Sequence, residues 1–167
     1  ILEIWKEEPR LPHEHLYALM DRIELGPRSE NSWLLAAKQM NIPILVPGWE
    51  DSTLGNLFAA ACIRGDLTPD MVRSGVHYMI DFSDWYKSQT GPVGFLQVGG
   101  GIAGDFPICV VPMLNQDLGE QVSLWSWFGQ ISESSTSFGG YSGAPPNEKI
   151  SWGKIGIDTP RFVIESD

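Results

Sequence analysis

The chain has 167 residues and 43% of them are hydrophobic, which is enough apolar side chain to fill the core of one domain. It carries 11 Lys and Arg against 21 Asp and Glu, for a net charge of -10. This balance disfavours a nucleic-acid partner, because phosphate binding depends on clustered cations, and it is compatible with a cationic ligand. No apolar run reaches the roughly 20 residues needed to cross a bilayer, so we expect no membrane span.

The first residues and the cysteines predict a processed chain from a reducing compartment. Residues 1–6 have neither the basic start nor the apolar run of a secretory signal, and the sequence does not begin with Met. We therefore expect a fragment or a processed chain. Cys62 and Cys109 stand in apolar runs without Cys-x-x-Cys spacing, which is typical of buried thiols rather than of a disulfide or zinc site. The expected location is cytoplasmic.

The first part of the chain predicts helices and one strand. Apolar periodicity predicts a helix over residues 12–25, which Gly26 and Pro27 stop. A second helix is predicted over 33–40 behind a capping Ser32, and a third over 57–63. The short apolar run 42–46 predicts a buried strand.

The second part predicts an alternation of helices and strands. Proline in the first helical turn, next to a capping threonine and an acid, predicts a helix over 68–88. Strands are predicted over 93–98, 122–127 and 161–164, with a proline-containing helix over 105–114.

This alternation predicts an α/β fold with a parallel, Rossmann-like, doubly wound sheet and helices on both faces. Ligands of such sheets bind beyond the carboxyl ends of the strands, which places the loops 50–56, 99–105 and 132–146 at the expected site.

One lysine stands out by its setting. Lys154 follows Trp152 and Gly153 closely behind a Gly/Ser/Pro-rich loop. An apolar, aromatic environment favours the neutral form of a lysine, which is a nucleophile toward carbonyls and imines. The alternative is an ordinary solvated surface lysine.

A glycine-rich turn follows the strand predicted over 93–98. Residues 99–104 fit the pattern G-x-G-x-x-G of dinucleotide-binding turns. Against this function, Pro107 interrupts the helix pattern behind the turn, and no Asp or Glu ends the strand predicted over 122–127 to hold a ribose. The alternative is a tight turn that needs glycine for its backbone conformation.

Several acids and one tryptophan are candidate ligands with structural alternatives. Glu50, Asp51 and Asp105 can bind amines, hold a ribose or move protons, or cap helices. Glu148 can anchor an ammonium or face solvent. Trp152 can form a cation–π wall of a pocket or belong to the core.

Three segments together resemble deoxyhypusine synthase: Pro47–Asn56, Gly99–Gly101 and Pro146–Ile155. They are most similar to the bacterial and archaeal deoxyhypusine synthase-like branch, and the similarity runs in order from about residue 31 to residue 167. The resemblance implies that 1–30 is a helical lead-in and that 31–167 is the C-terminal part of a deoxyhypusine synthase-like NAD/polyamine domain.

The resemblance also implies an activity, with NAD as cofactor. A 4-aminobutyl group passes from spermidine to an acceptor amine through an imine on a lysine that matches Lys154. The implied partners are a polyamine substrate and, because the family enzymes are considerably longer, a complementary N-terminal half or chain within a homotetramer. No metal is implied.

Other positions match family residues one by one. Lys154 and Asp105 stand at catalytic positions, although eukaryotic members carry histidine where this chain has Asp105. The substrate-binding positions are Glu148, Trp152 and Asn56. The cofactor-binding positions are Asp51, Gly100, Gly101 and Asp167.

The departures leave the function open between alternatives. Asn56, Phe138 and Tyr141 replace aspartates of the family's substrate region, which reduces the negative charge available for substrate ammoniums. The acceptor is either a protein lysine, giving deoxyhypusine, or putrescine, giving homospermidine. A third hypothesis is a non-catalytic binding subunit of such an assembly.

Overall fold

A computed structural model describes residues 1–73, 75–137 and 140–165. The chain forms two compact units, Ile1–Ile80 and Asp81–Asp167, which we call the first and the second unit. No helix in the described ranges is both long and apolar enough to cross a bilayer.

The first unit is helical. Its α-helices are α1 (Leu2–Trp5), α2 (Pro12–Met20), α3 (Trp33–Gln39) and α4 (Thr53–Ile63), and α5 (Gly75–Ser88) runs on into the second unit. The core of this unit contains Trp5, Trp49, Phe58, Ala61 and Leu67. Trp5 and Phe58 meet edge to face with their ring centres 5.3 Å apart, a favoured arrangement of aromatic rings.

Two of the predictions for the first unit are wrong, and two predicted helices have different bounds in the structure. Residues 42–46 form no strand, because Pro43 and Pro47 lack the N–H groups that a ladder needs. The helix predicted over 68–88 is divided into a 3₁₀ turn, Pro69–Met71, and α5; Ser74 lies outside the described residues. The helix predicted over 12–25 ends earlier, as α2. The helix predicted over 57–63 begins earlier, as α4, because Ser52 Oγ accepts a hydrogen bond from the Gly55 N–H at 3.0 Å.

The second unit contains a parallel sheet of three strands. The strands are β1 (Gly94–Val98), β2 (Trp127–Ser132) and β3 (Arg161–Glu165), in the order β1-β2-β3. Around it lie α6 (Ile102–Ile108), α7 (Val110–Pro112), a π-helical turn (Met113–Asp117) and α8 (Pro146–Ser151). An α/β fold with parallel strands is therefore present, and β1 and β3 lie within one residue of their predicted bounds.

The middle strand lies five residues later than the prediction of 122–127. The run from Val122 to Phe128 is apolar almost throughout, so periodicity does not say where pairing begins. Trp125 forms only an isolated bridge with Ile155, and the ladder with β1 starts at Trp127 opposite Gly94. The helix predicted over 105–114 begins earlier, as α6, and is interrupted at Cys109, the residue between α6 and α7.

The two faces of the sheet differ in burial. Phe128 and Gln130 of β2 point to one face and are almost completely buried, at 0% and 1% exposure. On the opposite face, Leu96, Val98 and Ile164 are 58%, 76% and 50% exposed. Both faces of a parallel sheet are normally covered. An apolar face that the described residues leave exposed is therefore unusual.

Candidate functional site

A cavity of about 330 Å³ lies in the second unit, between α6, α8 and the loop that precedes α8. Four residues singled out from the sequence, Asp105, Glu148, Trp152 and Lys154, line it together. The full lining is Asp105, Cys109, Gly140, Tyr141, Ala144, Glu148, Lys149, Trp152 and Lys154. We call this the Lys154 cavity.

Lys154 is buried, with 6% of its surface exposed. Gly153 ends α8 with a φ of 69°, and a Cβ there would lie 2.6 Å from Gln116 Nε2, so only glycine fits the turn. The next residue is fixed on both sides, because the Lys154 N–H donates to the Lys149 carbonyl at 2.9 Å and its own carbonyl accepts from the Trp125 N–H at 3.2 Å. The backbone thus holds the side chain inside the cavity rather than in solvent.

The ammonium of Lys154 has one carboxylate partner among the described residues. Its Nζ lies 3.0 Å from Asp105 Oδ1 on α6. Asp105 is not a helix cap, since Gly101 is the N-cap of α6. Cys109, one turn further along, points its Sγ at the same oxygen at 3.7 Å. Burial raises the pKa of Cys109, which keeps its thiol neutral.

The aromatic ring beside Lys154 belongs to Tyr141 and not to Trp152. Lys154 Nζ lies 5.3 Å from the centre of the Tyr141 ring, within the range of a cation–π contact. Trp152 is 65% exposed and lies at the rim of the cavity. The Tyr141 hydroxyl donates to Gln97 Oε1 at 2.6 Å, and burial raises the pKa of Tyr141, so this hydroxyl stays a donor. Sequence reasoning noted Tyr141 only as a lost aspartate.

Lys149 is a residue of the cavity that sequence reasoning missed. It is 2% exposed, and its Nζ donates to the Ala144 carbonyl at 3.2 Å. Burial lowers the pKa of Lys149, and the charge of Lys154 acts in the same direction. Its place in the same segment as Lys154 was the available signal, but nothing in the sequence says that a lysine on so short a helix points inward.

The glycine-rich turn packs against the loop that lines the cavity. A Cβ at Gly100 would collide with Ser142, whose Cα lies 2.9 Å away, and a Cβ at Gly104 would lie 2.7 Å from the Tyr141 ring. Ser142 Oγ also accepts a hydrogen bond from the Gly101 N–H at 2.8 Å. Gly100 and Gly104 are therefore explained by packing within the chain.

The same turn also fits the approach of a dinucleotide. Gly99 and Gly101 have φ values of 85° and 68°, and no described atom lies within 4 Å of a Cβ built on either. Open space thus borders the backbone at the carboxyl end of β1. No Asp or Glu ends the strand predicted over 122–127, which counts against a dinucleotide site. The observed strand β2 ends at Ser132, and Glu133 comes directly after it, so an acid does follow the strand.

The remaining predicted residues are not among the described lining residues of the cavity. Asp51 and Asn56 belong to the first unit, where both are exposed at the start of α4, and Ser52 rather than Asp51 caps that helix. Asp167 and Phe138 are outside the described residues. Within the described ranges, no group of three or more His, Cys, Asp and Glu side chains is arranged to hold a metal ion.

Comparison with known proteins identifies the family. The family model for deoxyhypusine synthase matches residues 2–167, almost the whole chain. The chain belongs to the deoxyhypusine synthase family. A deoxyhypusine synthase-like protein of Cyanothece is 32% identical over 145 residues, which are 83% of this chain and 36% of the relative.

Archaeal members of the deoxyhypusine synthase family match as well. A probable deoxyhypusine synthase 2 of Methanosarcina mazei is 28% identical over 155 residues, which are 92% of this chain and 43% of the relative. A probable deoxyhypusine synthase of Aeropyrum pernix is 30% identical over 145 residues, 82% of this chain and 41% of the relative. The chain thus spans about two fifths of the length of these curated relatives.

Proposed function

We propose that the protein is a deoxyhypusine synthase-like transferase that moves a 4-aminobutyl group from spermidine to an acceptor amine through an imine on Lys154. The observation that carries the proposal is the position of Lys154 in a chain of this family. Its side chain is buried in a cavity, beside a carboxylate at 3.0 Å and an aromatic ring.

The proposed step at Lys154 is an exchange of amines on one carbon. The neutral amine of Lys154 adds to the imine carbon of the oxidised substrate, and 1,3-diaminopropane leaves with the proton that Lys154 gives up. The acceptor amine then attacks the Lys154 imine and releases the lysine. Both steps need a neutral amine in a site from which water is largely excluded, and the low exposure of Lys154 meets that need.

Asp105 is the proposed proton acceptor. Its Oδ1 lies within hydrogen-bond distance of Lys154 Nζ, which is the geometry that general base catalysis requires. Tyr141 holds the amine from its ring face and excludes water from that side. The proposal thus gives Asp105 a role as a base at the position where eukaryotic family members carry a histidine.

Glu148 and Trp152 are the proposed contacts of the distal substrate ammonium. Asn56, in the first unit, is a further proposed substrate-binding residue. Glu148 lines the cavity with a carboxylate, and the exposed indole of Trp152 stands at its rim. A carboxylate and an aromatic face are the two groups that bind alkylammonium ions best.

NAD is the proposed cofactor, and it supplies the acceptor and later the donor of a hydride at the substrate carbon. Gly100 and Gly101, with Asp51 and Asp167, are the proposed binding positions. The open backbone at Gly99 and Gly101 supports the contact at the turn. Gly99, Gly100 and Gly101 have no side chain that could block the approach of a ligand to the turn.

The acceptor is either a protein lysine or putrescine. A homospermidine synthase-type reaction is favoured by one observation: the cavity has only two carboxylates in its described lining, Asp105 and Glu148, and Lys154 occupies one of them. So little negative charge suits a small amine such as putrescine, which brings few positive charges into the cavity.

The fold and assembly complete the proposal. We infer that residues 31–167 are the C-terminal part of a doubly wound, Rossmann-like NAD/polyamine domain behind the helical lead-in 1–30, in a cytoplasmic homotetramer. The complementary N-terminal part covers the sheet face that carries Leu96, Val98 and Ile164, since all three are exposed and apolar. Cross-linking within the native assembly should connect this face to that part, and an uncross-linked, solvent-accessible face would contradict the inference.

Reductive trapping tests the function. The protein in its natural assembly is incubated with NAD and spermidine and then reduced with borohydride, and we expect a 4-aminobutyl adduct that requires both compounds. Putrescine and a precursor-protein lysine are then compared as acceptors. Active turnover without any adduct would refute covalent catalysis. The absence of both turnover and adduct would support the third hypothesis, a non-catalytic binding subunit.

A further inference from the structure

The proposed reaction gives no role to Gln97, a buried polar residue of the second unit. Its side chain is 4% exposed, while the other four residues of β1 are half-buried or exposed. The inward position of this short strand is thus occupied by an amide and not by an apolar side chain. A buried amide is unfavourable unless both its donor and its acceptor group have partners. The partners of Gln97 are therefore the guide to its role.

The two ends of the Gln97 amide bind different segments of the second unit. Its Nε2 donates to the Gly99 carbonyl, in the glycine-rich turn, at 2.8 Å. Its Oε1 accepts from the Tyr141 hydroxyl at 2.6 Å. The orientation of the amide follows from chemistry, because a carbonyl can only accept and must face the amide nitrogen. Burial raises the pKa of Tyr141, which keeps its hydroxyl protonated and able to donate to the amide oxygen.

These contacts extend to the amine that is proposed to react. The centre of the Tyr141 ring lies 5.3 Å from Lys154 Nζ. Gly104 lets α6 approach the same contact, since a Cβ there would lie 2.7 Å from the Tyr141 ring and 2.8 Å from Gln97 Oε1. Asp105, the next residue of α6, lies 3.0 Å from Lys154 Nζ. A continuous chain of contacts thus connects the glycine-rich turn to Lys154.

The loop that carries Tyr141 is also held at a second point. The Gly101 N–H donates to Ser142 Oγ at 2.8 Å, and Gln130 Nε2 donates to the Ser142 carbonyl at 2.7 Å. We therefore expect the backbone of the loop to keep its place when the hydrogen bond between Gln97 and Tyr141 is lost. What that hydrogen bond fixes is the position of the Tyr141 ring.

We propose that Gln97 is a positioning residue that couples the glycine-rich turn to Lys154 by holding the Tyr141 ring against the amine. The contact chain is independent of the proposed function, whereas its effect on the reaction rests on that function. A ligand that moves the Gly99 peptide also moves the Gln97 amide, and through it the ring beside Lys154. The turn and the reacting amine are thereby linked through one side chain.

Chemical labelling of Lys154 tests the contact chain without any reaction. The natural assembly is treated with formaldehyde and cyanoborohydride, and peptide mass spectrometry measures the rate of methylation at Lys154. Gln97→Met removes both hydrogen bonds at a similar side-chain length, and Tyr141→Phe removes only the hydroxyl. Both variants release the ring that covers the amine. We expect methylation of Lys154 to be about fivefold faster in each, the size of effect that one lost hydrogen bond has on an equilibrium.

Two variants serve as matched controls. Gln89→Met removes an exposed amide that also donates to a carbonyl at 2.8 Å, that of Trp85. Tyr86→Phe removes a buried hydroxyl that donates to the Ser123 carbonyl at 2.7 Å. Neither side chain belongs to the described lining of the Lys154 cavity. Both variants should therefore be methylated at Lys154 as the unchanged protein is, even where their melting temperatures fall.

Two results of the labelling would overturn the coupling. One is methylation of Lys154 in Gln97→Met at the unchanged rate. The other is a rise in Tyr86→Phe as large as that in Tyr141→Phe, which would mean a general loosening of the unit. If Gln97→Met does not fold, Tyr141→Phe breaks the same hydrogen bond and decides the question in its place.

A double-mutant cycle tests the effect on the reaction. The single-turnover rate of adduct formation at saturating NAD and spermidine should fall about fivefold in Gln97→Met and in Tyr141→Phe, and no further in the double variant, because all three lose the same hydrogen bond. Gln97→Met also releases Gly99, so it alone should raise the NAD concentration for half-maximal trapping, by about threefold. A merely structural role would lower the melting temperature and leave the rate at saturation unchanged, as expected for Tyr86→Phe.

The outcomes separate this inference from the proposed function. If the unchanged protein forms no adduct, the proposed function is refuted, and the methylation rates alone decide the contact chain. If the adduct forms and the losses multiply to about 25-fold in the double variant, the two residues act independently and the coupling is overturned. A rate in Gln97→Met within about twofold of the unchanged protein would also overturn it and leave the proposed function intact.

Discussion

The two regions that carry the family's motifs present their residues in opposite ways. In the second unit, the buried Lys154 lies 3.0 Å from Asp105, whose side chain is 48% exposed, in the lining of one cavity. In the first unit, Asp51 and Asn56 are exposed at the start of α4, and the local structure there depends on Ser52. Burial of the reacting amine favours chemistry that needs shielding from water, whereas exposed polar groups suit contact with a ligand that arrives from outside. We therefore expect substitutions in the cavity to change the covalent step and substitutions near Asp51 to change only cofactor binding.

Replacing the lysine should have the largest effect. Lys154→Arg keeps a cation opposite Asp105 but removes the amine that forms the imine, so the trapped adduct should fall more than about a hundredfold. Mass spectrometry of the intact protein after borohydride treatment measures it. Lys87→Arg is the matched control and should trap as the unchanged protein does; trapping in Lys154→Arg at the unchanged level would refute the covalent role.

Removing the carboxylate of the cavity should have the second largest effect. Asp105→Asn preserves the shape of the side chain but removes the proton acceptor beside Lys154 Nζ, so the single-turnover rate of adduct formation should fall by about a hundredfold. Asp117→Asn, in the π-helical turn, is the control. A rate within about threefold of the unchanged protein would remove Asp105 from the mechanism.

Replacing Asp51, the exposed acid of the first unit, tests the difference between the two regions. Asp51→Asn should raise the NAD concentration required for half-maximal trapping by about tenfold and leave trapping at saturating NAD unchanged, because only a contact with the ligand is lost. Titration of trapping against NAD measures it, with Asp158→Asn as the control. If Asp51→Asn lowers trapping at saturation as much as Asp105→Asn does, the distinction between the two regions fails.

The smallest effect should come from the helix cap in the first unit. Ser52→Ala removes the acceptor of the Gly55 N–H and should lower the free energy of unfolding by about 1 kcal/mol without any effect on trapping at saturating NAD. Urea denaturation measures it. Ser88→Ala, where the exposed hydroxyl donates to the Trp85 carbonyl and accepts from Gln89 Nε2, should change the free energy of unfolding much less. Equal losses in both variants would contradict the capping role.

Sequence patterns were most informative where one signal acted alone. β1 and β3 are apolar runs bounded by glycine or proline, and both were placed within one residue of their observed bounds. The grouping of Lys154, Asp105, Glu148 and Trp152 followed from the resemblance to the family, and the structure places these four around one cavity.

The failures have identifiable physical causes. β2 was misplaced because hydrophobicity is nearly continuous from Val122 to Phe128, and only pairing with β1 selects the register. Lys149 and Tyr141 were missed as cavity residues because their orientation depends on long-range contacts, with the Phe128 ring for Lys149 and with Gln97 for Tyr141. Neither contact can be predicted from the local sequence.

The central claim is that Lys154, and not its buried neighbour Lys149, is the amine that reacts. Both lie in one short segment, so the decisive measurement is fragmentation mass spectrometry of the trapped peptide, prepared from the natural assembly with NAD and spermidine. We predict that the 4-aminobutyl mass lies on Lys154 alone and is retained there in Lys149→Met. An adduct on Lys149, or an adduct that persists in Lys154→Arg, would contradict the account.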